Sequence, residues 1–151
     1  MNLVALERIR NSYKIFRETY KFVKKTDLYE KMDALSESKD IIEDLFIVEI
    51  FACLERFLRD NLIYCLKLEK CNFEKERILN HLEYMKIEYL LDSLKKIIDS
   101  NTIGFIKQIK SYRDWVAHGR NPIKPPPVRK VDFEKSFEAI KSIMQVLESG
   151  L

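Results

Sequence analysis

Glycine is nearly absent from this chain, with 3 among 151 residues, and proline is scarce with 4. Average usage would be about 7% and 5%. β-Sandwiches, barrels and dinucleotide-binding sheets all spend glycine on tight turns, so these classes are disfavoured. A glycine-rich phosphate loop is excluded too, and any phosphate must be held by side chains. No run of ~18 uncharged apolar residues occurs, so no membrane-spanning helix is expected. The N-terminal stretch Met1–Arg8 turns charged after a four-residue apolar run, Leu3–Leu6. That is too short for the core of a secretory signal. The three cysteines, Cys53, Cys65 and Cys71, are odd in number and lack Cys-x-x-Cys spacing. With His81 and His118 the only histidines, no four-ligand zinc pattern emerges. The cysteines read as reduced, small apolar residues of a cytoplasmic protein. Neither a metal nor a cofactor is expected.

What the sequence has is apolar and charged residues in helical rhythm. Hydrophobic residues make up 46% and charged residues 34%. The length suits one domain, and residues 1–151 are expected to form a single one. Such a domain buries roughly two thirds of the surface its unfolded chain exposes.

Leu3, Leu6, Ile9, Tyr13, Phe16, Tyr20 and Val23 recur at spacings of three and four, which predicts an amphipathic helix over 3–24. A short helix is expected over 27–35. Asp40, with Glu43 three residues on, is placed to cap a long helix reaching Leu68. Its inner stripe is Ile47, Ile50, Leu54, Phe57, Asn61, Tyr64 and Leu68. Further helices are expected over 74–84, 86–99 and 102–118, with Asn72 and Ser100–Thr102 as start signals. Gly119 is a left-handed cap candidate, and Asn121-Pro122 reinforces the stop. All four prolines fall in 121–131, including the stiff run Pro125–Pro127. Asp132 caps a last helix, 133–147. The fold class is therefore all-α, a single up-and-down-like bundle of five to seven helices.

The most informative stretch is Tyr112-Arg113-Asp114-Trp115-Val116-Ala117-His118-Gly119-Arg120. On a helical wheel Phe105, Ile109, Tyr112 and Val116 fall within about 40° and mark the core face. His118 lies roughly opposite, about 180° from Ile109, so it reads as solvent-facing. It is either a functional imidazole or a cation at a helix C-terminus. Asp114 and His118, at i and i+4, can meet, and a carboxylate there orients the ring. Arg113 sits about 140° around and roughly 7.5 Å along the axis from His118. A straight helix does not close both on one small site, so either the helix distorts or a second copy completes the site.

Arg113-Asp114-Trp115-Val116-Ala117-His118 resembles the Arg-x(4–6)-His motif of the HEPN superfamily, with a polar residue directly after the Arg. The motif's place on a late helix, with one more helix after it, is similar as well. The residue-level resemblance covers about ten positions, and the fold-level one most of the chain. It implies a metal-independent endoribonuclease in which two protomers pair and their motifs share a cleft. Many members are toxins of toxin–antitoxin or phage-defence systems, so RNA and an antitoxin protein are the implied partners. Other members have lost activity and act as binding modules. One subgroup has a Tyr two residues after the His, modified by its antitoxin; this chain has Arg120 there.

The residue types suit that chemistry. Metal-free RNA cleavage uses the ribose 2′-hydroxyl as nucleophile. It needs a base, an acid for the leaving 5′-oxygen, and a cation for charge on phosphorus. Histidine titrates nearest the operating pH for both proton roles, and Arg113 can hold a phosphate oxygen. One His118 per chain gives a dimer two proton carriers. Asp114 would orient or tune His118, and the hypothesised product is a 2′,3′-cyclic phosphate.

Lys107, Lys110 and Arg120 are the substrate-binding candidates. Residues 105–130 carry seven basic side chains against Asp114 alone, while the rest of the chain is net acidic. A local basic field suits a phosphate-backbone ligand, although a solvated basic face is the plainer reading. Glu49 is the only charge between Asp44 and Glu55, and it either orients Arg113 or lies on an exposed flank. Glu55, Arg56, Arg59 and Asp60 read as a solvated salt-bridged face. His81 reads as a surface residue. Trp115 is suited to a dimer interface or to stacking on a base. Three functions remain open: a dimeric HEPN ribonuclease, an inactive HEPN-like binding module, and an unrelated helical adaptor.

Overall fold

The computed structural model of the chain describes residues 2–26, 32–68, 81 and 84–150. These are helices and connecting turns, with no strand among the described residues. The elements are α1 (Asn2–Lys25), α2 (Met32–Leu68), α3 (Ile87–Ser93) followed by a 3₁₀ turn (Leu94–Lys96), α4 (Ser100–Ala117) and α5 (Phe133–Gly150). The all-α expectation therefore holds. The expected helix over 74–84 and the Asn72 cap fall outside the described residues, apart from positions 81 and 84.

The boundaries differ where no side chain enforces a stop. α2 begins at Met32 rather than at Asp40, and its 37 residues span about 55 Å. Residues 32–40 hold no Gly or Pro, so nothing ends a helix there, and Asp40 is an ordinary helical position that binds Lys130 at 2.9 Å. Of the separate short helix expected over 27–35, residues 32–35 are the first turn of α2 and 27–31 lie outside the described residues. The run 86–99 is one helix of seven residues that tightens to 3₁₀ and ends. Asp99, not the Ser100–Thr102 cluster, caps α4, accepting the Thr102 N–H at 2.8 Å. Asp132 caps α5 as expected, accepting the Lys135 N–H at 2.9 Å.

α2 is the central column, with α1, α4 and α5 packed around it and α3 laid against α4. The buried side chains form one cluster: Leu6 from α1, Ile47 to Leu58 from α2, Ile103 to Val116 from α4, Phe133 to Met144 from α5. The stripes at Ile47, Ile50, Leu54 and Phe57, and at Ile109, Tyr112 and Val116, are buried as the spacing predicts. Each fully buried Ile or Leu contributes about 1.5–3 kcal/mol relative to exposure. Asn61, which interrupts the α2 stripe, donates its amide to the Phe57 carbonyl at 2.9 Å, so its polarity is satisfied within the helix. Tyr13 stacks on Phe133 at 3.9 Å and meets Phe46 edge-on at 5.4 Å, locking α1, α2 and α5 together.

The end of α4 decides where the site lies. Gly119 takes φ 81° and Arg120 φ 51°. The Arg120 N–H donates to Trp115 O and the Gly119 N–H to Val116 O, both at 3.1 Å. That hydrogen-bond pair closes the helix with a left-handed residue after the cap, here His118. A Cβ on Gly119 would meet nothing within 4 Å, so the cost of a side chain there is backbone strain alone. Gly119→Ala is expected to lower stability by about 1 kcal/mol, read by urea unfolding. An unchanged midpoint would contradict the strain assigned to this turn.

Candidate functional site

α4 presents its last two turns to three neighbours, and each side of the helix has a different fate. Tyr112 points into the core, where its hydroxyl donates to Asp44 Oδ1 of α2 at 2.8 Å. Asp44 is buried, and its second oxygen, Oδ2, accepts Arg120 Nε at 3.1 Å and Nη2 at 2.9 Å. Both carboxylate oxygens are thereby used. Burial, then the bond to Asp44, pushes the Tyr112 phenol well above its ordinary value.

Arg113 turns toward α2. Its Nη2 donates to Glu55 Oε2 at 3.0 Å, and its Nη1 lies 3.2 Å from Asp114 Oδ1. The guanidinium carbon stands 4.7 Å from the centre of the Phe51 ring. Arg113 Nε is buried without an acceptor. Glu49, the carboxylate expected to support Arg113, is exposed, and Glu55 takes that role from six residues further along α2. Six residues is 600° of helix, which turns Glu49 away from α4 and Glu55 toward it. Glu55 also accepts from Arg59 at 3.0 Å, so it is a shared acceptor rather than part of a solvated face.

The ion pairs continue across the helix. Lys110 binds Asp114 at 2.6 Å and Glu88 of α3 at 2.7 Å. Burial opposes the Lys110 charge, but the bonds to Asp114 and Glu88 outweigh it and hold the ammonium pKa above its usual value. Glu88, Lys110, Asp114, Arg113, Glu55 and Arg59 thus form one chain of alternating sign joining α2, α3 and α4. Its charges cancel, so no net positive field arises there. Lys107 lies about 9 Å further back on α4 and pairs with Asp92 at 2.7 Å.

His118 stands apart. It is the C-terminal cap of α4, it is exposed, and its side chain has no partner among the described residues. The expected Asp114–His118 contact is replaced by the Asp114 bonds to Lys110 and Arg113, which also suit a carboxylate of a helix flank. The His118 backbone N–H still donates to Asp114 O at 3.0 Å, so the i, i+4 backbone register is kept while the Asp114 carboxylate is taken by the two cations. Trp115 is half-buried against Tyr112 at 5.9 Å, and its indole N–H donates to Lys124 O at 3.0 Å. It fastens the proline-rich loop of its own chain. His81 is exposed, as expected.

Five of the seven basic residues of 105–130 therefore have carboxylate partners: Lys107, Lys110, Arg113, Arg120 and Lys130. Lys124 and Arg129 have none among the described residues. Asp44 is the residue that sequence reasoning missed. It is one of eight Asp or Glu within 33–60, and only its place on the Ile47–Ile50–Leu54 side of the wheel hints at burial. Cys53 is half-buried, and burial raises its thiol pKa, whereas the side chains of Cys65 and Cys71 lie outside the described residues. Among the described residues no cluster of three His, Cys, Asp or Glu is placed to hold a metal ion, and no helix is long and apolar enough to cross a membrane.

Fold and site together define a helical bundle with a guanidinium clamped at one helix end and an open imidazole beyond it. No family model, no curated protein and no solved structure matches the chain.

Proposed function

We propose that the protein is a metal-independent endoribonuclease of the HEPN type, acting as a homodimer on RNA in the cytoplasm. The observation that carries this reading is His118: an exposed imidazole without a partner among the described residues, five residues after Arg113 at the end of one helix. Free of a carboxylate, it is available to move a proton. Arg113 would hold the scissile phosphate once its guanidinium exchanges Glu55 for a phosphate oxygen. Two protomers would supply the base for the 2′-hydroxyl and the acid for the 5′-oxygen. A role as toxin, with an antitoxin protein as partner, rests on the resemblance alone.

The test is incubation of the purified protein with mixed RNA in EDTA, followed by mapping of the ends. Cleavage leaving 2′,3′-cyclic phosphate and 5′-hydroxyl ends is expected. Intact RNA with a homogeneous dimer would reject the reading.

A second reading has its own support. The chain of ion pairs from Glu88 to Arg59 makes Arg113 a fastener between helices, as an inactive binding module would keep it. Glu55→Gln separates the two. As phosphate ligand, Arg113 loses a competitor, and RNA affinity rises by up to about fivefold, the equivalent of about 1 kcal/mol. As a fastener only, the variant melts earlier and RNA affinity is unchanged.

A further inference from the structure

We propose that the groove between α4 and the segment 128–135 is a nucleotide subsite, seating one unit of a single-stranded RNA that also passes His118. This rests on the ribonuclease reading and adds to it where the strand is held. The groove encloses about 440 Å³. Its apolar wall is Phe105, Val128 and Val131, and its polar edge is Gln108, Arg129 and Lys135. An aromatic face, an amide and two cations are the set that single-stranded RNA uses: the ring for a base, the amide for a base edge, the cations for phosphate.

The cations are free for the purpose. Arg129 and Lys135 are exposed and have no carboxylate partner among the described residues, unlike the five paired basic residues of 105–130. A phosphate reaches them without breaking an existing ion pair. Lys135 lies in the first turn of α5, whose N-terminus is already capped by Asp132. The other two charges on the groove are already engaged. Asp132 accepts the Lys135 N–H in the α5 cap, and Lys130 is turned to Asp40 and Glu43.

Position fits a strand rather than an isolated ligand. Phe105 precedes His118 by thirteen residues on α4, about 20 Å along the axis. The proline-rich loop runs between them and carries Lys124, which has no carboxylate partner among the described residues. That loop is held by the Trp115 bond to Lys124 O and by the Ile123 N–H to Asn121 Oδ1 at 3.0 Å. Binding along it orders little that is not already ordered.

The test is fluorescence anisotropy of a single-stranded polyadenylate over a range of salt, in a His118→Ala background that keeps the strand intact. Arg129→Gln with Lys135→Gln, both at exposed positions, is expected to weaken binding about tenfold and to lower the salt slope by about 1.4. Phe105→Leu keeps the apolar packing, removes the ring, and is expected to weaken binding about tenfold with the slope unchanged. If these variants bind as the parent does while the wild-type protein cleaves RNA, the subsite is wrong and the ribonuclease reading stands. If they lose binding but the wild-type protein never cleaves, the subsite stands and the ribonuclease reading fails. If polyglutamate binds as tightly as polyadenylate, with the same sensitivity to Phe105→Leu, the groove is a peptide site and the proposal is overturned.

Discussion

His118→Ala is expected to slow RNA cleavage by about 10²–10⁴-fold, the usual contribution of a positioned acid–base group. The same change is expected to leave stability within about 0.5 kcal/mol, because an exposed side chain without partners among the described residues carries little of it. The split between the two effects makes this the cleanest variant in the site. Arg113→Ala is expected to abolish cleavage as well, but it also takes one of two cations from Glu55 and from Asp114, leaving them to Arg59 and Lys110, and uncovers Phe51. Its activity loss must be read beside its melting temperature, and Arg113→Lys, which keeps the charge, supplies the comparison. Cleavage by the His118→Ala protein at the parental rate would remove the imidazole from the chemistry and with it the ribonuclease reading.

Asp44→Ala is expected to cost about 3–5 kcal/mol of stability, the largest effect of any single change named here. The carboxylate is buried and carries three hydrogen bonds, from Tyr112 and from two nitrogens of Arg120. Its removal strands a guanidinium and a buried phenol together. Urea unfolding measures the loss, and a double-mutant cycle with Arg120→Ala divides it. A loss under 1 kcal/mol would show the network to be dispensable. The same network sets an alkaline limit. Burial and Asp44 raise the Tyr112 pKa in the folded state above its unfolded value near 10. Its contribution is therefore complete below about pH 10 and is lost as pH rises toward the folded value. Subtracting the Tyr112→Phe protein isolates the phenolate absorbance of Tyr112 from that of the other six tyrosines, and its appearance with the unfolding transition, not before it, is the expected result.

Much of this was legible in the sequence. The three-and-four spacing of apolar residues located the helices, because burying one stripe leaves few alternatives at 3.6 residues per turn. Gly119 marked the end of α4, since a left-handed residue suits glycine best. Asp132 marked the start of α5 by the same local logic of a side-chain acceptor for an unpaired N–H. Where no such local signal existed, the boundary moved: α2 runs through Asp40 because a capping residue permits a helix start and does not compel one.

The charged residues were less legible. Lys107, Lys110 and Arg120 stood out as a basic segment, but their carboxylate partners come from Asp92, Glu88 and Asp44, on other helices or earlier in the chain. By sequence Glu49 was the candidate to orient Arg113 and Glu55 read as part of a solvated face, but the phase of α2 against α4 selected Glu55. The sequence by itself determined an all-α fold, the end of α4, the start of α5 and the exposure of His118, because these follow from periodicity and caps within a few residues. Only the tertiary structure decided which charges meet, and so which cations stay free, because an ion pair depends on distance in space and the helices that bring its partners together are far apart in the chain.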